Sequence, residues 1–196
     1  TQTVHGPINS RPILLGDTIV ASAIADRAFA LDTVTGRIKW SWKPDRPARI
    51  TSGVAVVKDH AFVGDNRGQI YALSVHSGRF VGLTQTDACA VGTPRVIDEK
   101  LFFLTQGPSL CQIKAESRPS VVWEYSGAVR IIALGKKCVY VLTDKNEIAA
   151  VSISTGKAQW KDKLAKGATV TANPDQIGLF CVAAKTGNVA AFIETK

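Results

Sequence analysis

Seven side chains in this chain could act as nucleophiles or soft metal ligands: His5, His60, His76, Cys89, Cys111, Cys138 and Cys181. A zinc site needs Cys or His pairs a few residues apart, and no pair here has that spacing. The Asp and Glu residues do not group as Ca²⁺ ligands do. No serine-nucleophile motif and no phosphate-binding glycine loop is written anywhere. The expectation is therefore a protein that is not an enzyme, with no catalytic, cofactor-binding or metal-binding residues. The four cysteines allow three pairings, and spacing alone does not choose among them. Cys111 stands in an apolar run and reads as packing. Four separate thiols fit a reducing compartment without excluding a periplasm.

The remaining chemistry is electrostatic. Lys plus Arg is 24 and Asp plus Glu is 16, a formal charge of +8. One basic group is Lys39, Lys43, Arg46 and Arg49, centred on Lys43-Pro-Asp-Arg-Pro-Ala-Arg49. A second is Lys157, Lys161, Lys163 and Lys166. Two readings stand. The cations form a solvated rim, or they make a face for an anionic partner such as an acidic protein or a phospholipid surface. Nucleic acid is not expected, because aromatics for base stacking are not interleaved with the cations apart from Trp40 and Trp42. The residues singled out for partner binding are Trp42, Lys43, Arg46 and Arg49. Trp42 lies two residues after Trp40, on the same face of a strand, and reads equally as a second packing residue.

These positions belong to a phrase that recurs along the chain. Ala28-Phe-Ala-Leu-Asp-Thr-Val-Thr-Gly-Arg-Ile-Lys-Trp40 returns as Ile70-Tyr-Ala-Leu-Ser-Val-His-Ser-Gly-Arg-Phe-Val-Gly82. It returns again as Ile148-Ala-Ala-Val-Ser-Ile-Ser-Thr-Gly-Lys-Ala-Gln-Trp160. The turn glycines Gly36, Gly78 and Gly156 are spaced 42 and 78, a period near 40. A degenerate copy around Leu101–Trp123 carries Ser117-Arg118-Pro119-Ser120 in place of the Thr-Gly turn. A fifth copy, Leu179–Ile193, stops before that turn.

Such a period predicts β-propeller blades. Each copy reads as four short apolar strands bounded by Gly, Asp, Asn and Lys, with no helical periodicity. The fold expectation is all-β, about five four-stranded antiparallel blades. The repeats run over about 9–50, 51–91, 92–130, 131–170 and 171–196 of one domain, 1–196. Gly36, Gly78 and Gly156 supply the turns, and Trp40, Trp123 and Trp160 pack blade on blade. Ala30, Ala72, Ala150 and Ala191 suit a crowded third strand. A repeat array is usually a binding surface. His76 takes the place of Val34 and Ser154, which marks a turn residue and not a catalytic base. His60 opens a strand. No run of 18 apolar residues is present, so no transmembrane segment is expected. The chain has no methionine, not even at residue 1, and is read as beginning after something removed.

The phrase Ala-Leu-Asp-x-x-Thr-Gly-x-x-x-Trp resembles the repeat of the PQQ-like β-propellers, over nearly the whole chain. That family spans quinoprotein alcohol dehydrogenases, the BamB-type scaffolds of the outer-membrane barrel assembly machine, and sensor domains of membrane kinases. The dehydrogenases hold their quinone with a pair of adjacent cysteines and a Ca²⁺ site, and no Cys-Cys dipeptide exists here. The resemblance therefore implies a non-catalytic protein–protein interaction scaffold in the periplasm or cell envelope, most like the BamB type. A ligand-sensing ectodomain of a larger receptor or kinase is the alternative, and a cytoplasmic location is the alternative compartment. Family rings usually have seven or eight blades. The chain is then either a compact five-bladed ring or the C-terminal portion of a longer propeller. In the first case Thr1–Val4 would have to supply the closing strand, and these residues match it poorly.

Overall fold

A computed structural model of the chain describes residues 6–8, 10–45, 47–172 and 178–194. The expected closing strand Thr1–Val4 and the candidate Arg46 lie outside the described residues. The described residues form five antiparallel sheets and no helix. The first sheet is β1 (Ile13–Leu15), β2 (Thr18–Ser22), β3 (Ala28–Asp32) and β4 (Ile38–Trp42). The second is β5 (Ala55–Val57), β6 (His60–Gly64), β7 (Gln69–Ser74) and β8 (Phe80–Gln85). The third is β9 (Ala90–Ile97), β10 (Lys100–Thr105), β11 (Ser109–Lys114) and β12 (Ser120–Ser126). The fourth is β13 (Ala128–Leu134), β14 (Cys138–Thr143), β15 (Glu147–Ser152) and β16 (Ala158–Lys163). The fifth has three strands, β17 (Thr169–Ala172), β18 (Leu179–Ala183) and β19 (Val189–Ile193). Each sheet pairs its strands in chain order, the up-and-down meander of a propeller blade.

The repeat phrase folds the same way each time. Gly36, Gly78 and Gly156 all have φ between 66° and 68°. Each donates its N–H to the residue four before it, Asp32, Ser74 and Ser152, at 2.8–2.9 Å. A side chain with a Cβ is strained at that φ, so the glycine is set by the turn. Asp32 adds a cap, accepting from the Thr35 N–H at 2.7 Å and the Val34 N–H at 3.1 Å. The Thr35 N–H, first of all, holds the Asp32 carboxyl below its usual range. Ala30, Ala72 and Ala150 are fully buried, opposite Trp40, Gly82 and Trp160 of the outer strands. Their counterpart Ala191 is exposed, because β19 is the edge of a three-stranded sheet.

Blades three and four begin at Ala90 and Ala128, ahead of the repeat boundaries at 92 and 131. Bulges lengthen both opening strands. Gly92, at φ 70°, and Pro94 fall in the part of β9 that β10 leaves unpaired, where the missing N–H of Pro94 costs no β9–β10 ladder bond.

The chain groups into two compact units, Thr1–Gly107 with Cys111–Val122, and Pro108–Leu110 with Trp123–Lys196. The first unit has one core around Val20, Trp40, Val63, Tyr71 and Leu73, and another around Phe62, Ile70, Leu101, Phe103 and Ile113. The second has a core around Ile132, Tyr140, Ile148, Ala150 and Phe180.

Candidate protein-interaction site

In the first unit the exit of blade one starts from a fixed point. Trp40 is 7% exposed, and its indole N–H donates to the Val75 carbonyl at 2.7 Å. Its ring lies on Gly78, where an added Cβ would come within 2.6 Å of it. The turn glycine of blade two is thus the seat for the tryptophan of blade one. In the second unit Trp123 repeats the arrangement, donating to the Ile153 carbonyl at 2.9 Å and lying over Gly156.

Blade two has Gly82 where the tryptophan would be. A Cβ there would meet the Ser117 carbonyl at 2.3 Å and Pro119 at 3.4 Å. The degenerate loop of blade three fills the space that a tryptophan takes elsewhere. Two positions of the phrase stand apart. Trp160 is 39% exposed, and Gly36 would meet no atom within 4 Å.

The four residues singled out for partner binding fare differently. Trp42 is half-buried, with its ring centroid 4.9 Å from that of Tyr71. It packs blade one on blade two and leaves only part of its surface to a partner. Beneath it, Asp65 is fully buried and organises a small network. Its Oδ1 accepts from the N–H groups of Arg67 at 2.9 Å and Gln69 at 2.8 Å, and its Oδ2 lies 2.8 Å from the Tyr71 hydroxyl. Burial, then Asp65, pushes the Tyr71 phenol above its usual range, so it stays a neutral donor.

Lys43 is held by a buried acid. Its Nζ lies 2.6 Å from Asp26 Oδ1, while Arg27 Nε lies 2.8 Å from Asp26 Oδ2. The Asp26 side chain is only 4% exposed, so two cations neutralise a desolvated carboxylate. Arg49 is exposed, and no ion pair to it occurs among the described residues. Its backbone is pinned: Arg49 N–H donates to Asn66 Oδ1 at 2.8 Å, and Asn66 N–H donates to the Arg49 carbonyl at 2.9 Å. The exit of blade one thus carries a packed tryptophan, an ion-paired lysine and an exposed guanidinium on a backbone pinned at Arg49.

A second candidate surface was not singled out from the sequence. In the second unit Trp160 stacks at 6.5 Å on Phe192, which stacks at 4.8 Å on Phe180, with Tyr140 5.1 Å from Phe180. These rings line a groove of about 430 Å³ with Cys138, Gln159 and Glu194. Burial pushes the Cys138 thiol up and the Tyr140 phenol up to about 12. The Glu194 carboxylate accepts from the N–H groups of Lys136, Lys137 and Cys138, which closes one end. A signal was present in the sequence. Register pairs Phe180 with Phe192 where blades two and four pair Ala61 with Leu73 and Val139 with Val151. The fifth copy therefore carries two aromatics at positions that are aliphatic in those blades.

Among the described residues no group of three or more His, Cys, Asp or Glu is placed to hold a metal ion. Of the four cysteines, Cys111 and Cys138 are buried, and Cys89 and Cys181 are half-buried. His60 opens β6, and His76 sits in the blade-two turn, 3.3 Å from Asp59. No helix of the described residues is long and apolar enough to cross a membrane.

Meander sheets in repeat register, with tryptophan seated on turn glycine, define a β-propeller of the PQQ-like repeat class. The chain belongs to the family described as outer membrane protein assembly factor BamB, whose model matches residues 1–82 and 41–196. It is 24% identical over 172 residues to outer membrane protein assembly factor BamB of Yersinia pestis, which covers 80% of this chain and 44% of that one. It is 28% identical over 96 residues to the Escherichia coli K12 protein of the same name, which covers 45% and 24%. The chain spans less than half the length of these curated relatives. Among solved structures, BamB of Moraxella catarrhalis superposes with a TM-score of 0.72 at 19% identity, over 98% of this chain and 60% of that one. A quinohemoprotein alcohol dehydrogenase from Comamonas testosteroni superposes with a TM-score of 0.71 at 16% identity, over 97% and 43%. The blade architecture is therefore common to BamB and to the dehydrogenase.

Proposed function

We propose that the chain is a non-catalytic interaction scaffold, a BamB-like part of a bacterial envelope assembly machine in the periplasm or at the outer membrane. The observation that carries this reading is the family match over the full repeat array. The residues agree with it. The adjacent cysteine pair that marks the quinone cage is missing from the sequence, and the four cysteines lie far apart in it. What the blades do is hold loops in place. Arg49 is presented on a backbone pinned by Asn66, so little loop entropy is lost when a partner carboxylate closes on it. The aromatic groove beside Trp160 offers the kind of pocket that receives an anchor side chain. Arg46, in the same exit as Arg49, is included in the proposed contact on sequence alone.

The enzymatic reading is tested by incubating the purified chain with PQQ and Ca²⁺ and assaying dye reduction with alcohols. We expect no stoichiometric quinone retention after gel filtration and no alcohol-dependent dye reduction. Quinone and Ca²⁺ retained one to one, with dye reduction, would replace the scaffold by a dehydrogenase.

A further inference from the structure

Outer blade strands are sheet edges, and proteins blunt such edges with charge. β4 carries Lys39, β12 carries Glu124, and β16 carries Lys161, Asp162 and Lys163. β8, Phe80-Val-Gly-Leu-Thr-Gln85, carries no charge at all. It instead exposes Phe80 at 51%, Val81 at 37% and Leu83 at 41%. Three large apolar side chains in one six-residue edge are a concentration that solvent alone does not explain.

The backbone of this strand is also set for pairing. Thr86 donates its N–H to the Gly68 carbonyl at 2.8 Å, and the register pairs Ile70 with Thr84 and Tyr71 with Leu83. Hydrogen-bonded pairs alternate along an antiparallel ladder. Gly82, Thr84 and Thr86 therefore face β7, while Leu83 and Gln85 turn their N–H and C=O groups to the open edge. β8 ends its sheet, so no strand of the described residues pairs with it there.

The strand is complementary to itself. Arg79 precedes it and Asp87 follows it, both exposed. Neither makes an ion pair among the described residues. Antiparallel pairing of two such strands about Leu83 brings Arg79 of each copy beside Asp87 of the other. We infer that β8 is a self-association edge, on which a second copy of this chain adds its own β8 antiparallel across a two-fold axis. Such an isologous contact closes after two copies and buries both apolar edges at once. Leu83 meets Leu83 at the centre, and an Arg–Asp pair closes each end.

Sedimentation velocity on the full chain tests this. The mass should rise from one chain to two over roughly a hundredfold concentration range, as mass action requires. Leu83→Lys should leave a monomer at every concentration, with an unchanged circular dichroism spectrum because Leu83 is exposed. Arg79→Asp should weaken the dimer, and Arg79→Asp combined with Asp87→Arg should restore it. A chain that stays monomeric throughout would overturn the inference. So would a dimer indifferent to Leu83→Lys, or one whose charge reversal is not rescued.

Discussion

Trp40→Ala should lower the unfolding free energy by about 3–5 kcal/mol, as large-to-small changes of buried aromatics do. Two losses combine. The ring leaves a cavity between β4 and the Gly78 turn, and the Val75 carbonyl loses its indole donor. Trp123→Ala should act in the same way in the second unit, on Gly156 and the Ile153 carbonyl. Trp160→Ala is the control. Its ring is the most exposed of the three, so the change should cost roughly 1 kcal/mol, in line with the smaller area that returns to water. Urea unfolding of the three variants, followed by fluorescence and circular dichroism, reads the differences. Equal losses at Trp40 and Trp160 would contradict the seating of tryptophan on the turn glycine as the source of the stability.

Asp65→Ala should lower stability by roughly 3 kcal/mol, because it strands several donors in a buried place. The N–H groups of Arg67 and Gln69 lose their common acceptor, and the Tyr71 hydroxyl loses one of its two. Asp65→Asn keeps an acceptor oxygen for the backbone and should recover about half of that loss. Since Tyr71 supports Trp42, Asp65→Ala should also red-shift part of the tryptophan fluorescence before unfolding begins, as Trp42 opens to water. A neutral Asp65→Ala would mean that the network is incidental to the packing of blade one on blade two.

Much of this architecture is legible in the sequence because a repeat averages out local ambiguity. One short run such as Ala28-Phe-Ala-Leu31 fits strand or helix, but three copies in register with a glycine at the same offset fit only a turn between strands. The separate roles of the turn glycines and the packing tryptophans are also readable, but the seating of Trp40 on Gly78, and of the Ser117-Arg118-Pro119 loop on Gly82, appears only in the structure. The candidate site is less readable. Lys43 looks like a free cation until the fold brings Asp26 to it from the loop before β3. Trp42 could not be divided between packing and recognition without Tyr71 across the blade gap. The aromatic groove was visible only as Phe180 and Phe192 in place of aliphatics, a signal that needs the strand register before it acquires meaning. Long-range pairing of side chains is what a repeat pattern does not encode.

The central claim, a scaffold of an envelope assembly machine, is tested most directly by site-specific photo-crosslinking in cells. A crosslinker placed at Arg49, with one at the exposed Leu14 of β1 as control, reports whether the blade-one exit faces a partner. The account predicts that the Arg49 probe yields one discrete adduct containing a subunit of the outer-membrane barrel assembly machine, and that the Leu14 probe does not. The adduct should fade when an excess of the unlabelled chain competes for the partner, and should persist when that competing copy carries Arg46→Glu and Arg49→Glu. Equal labelling from both positions, or an adduct with no assembly-machine subunit, would contradict it.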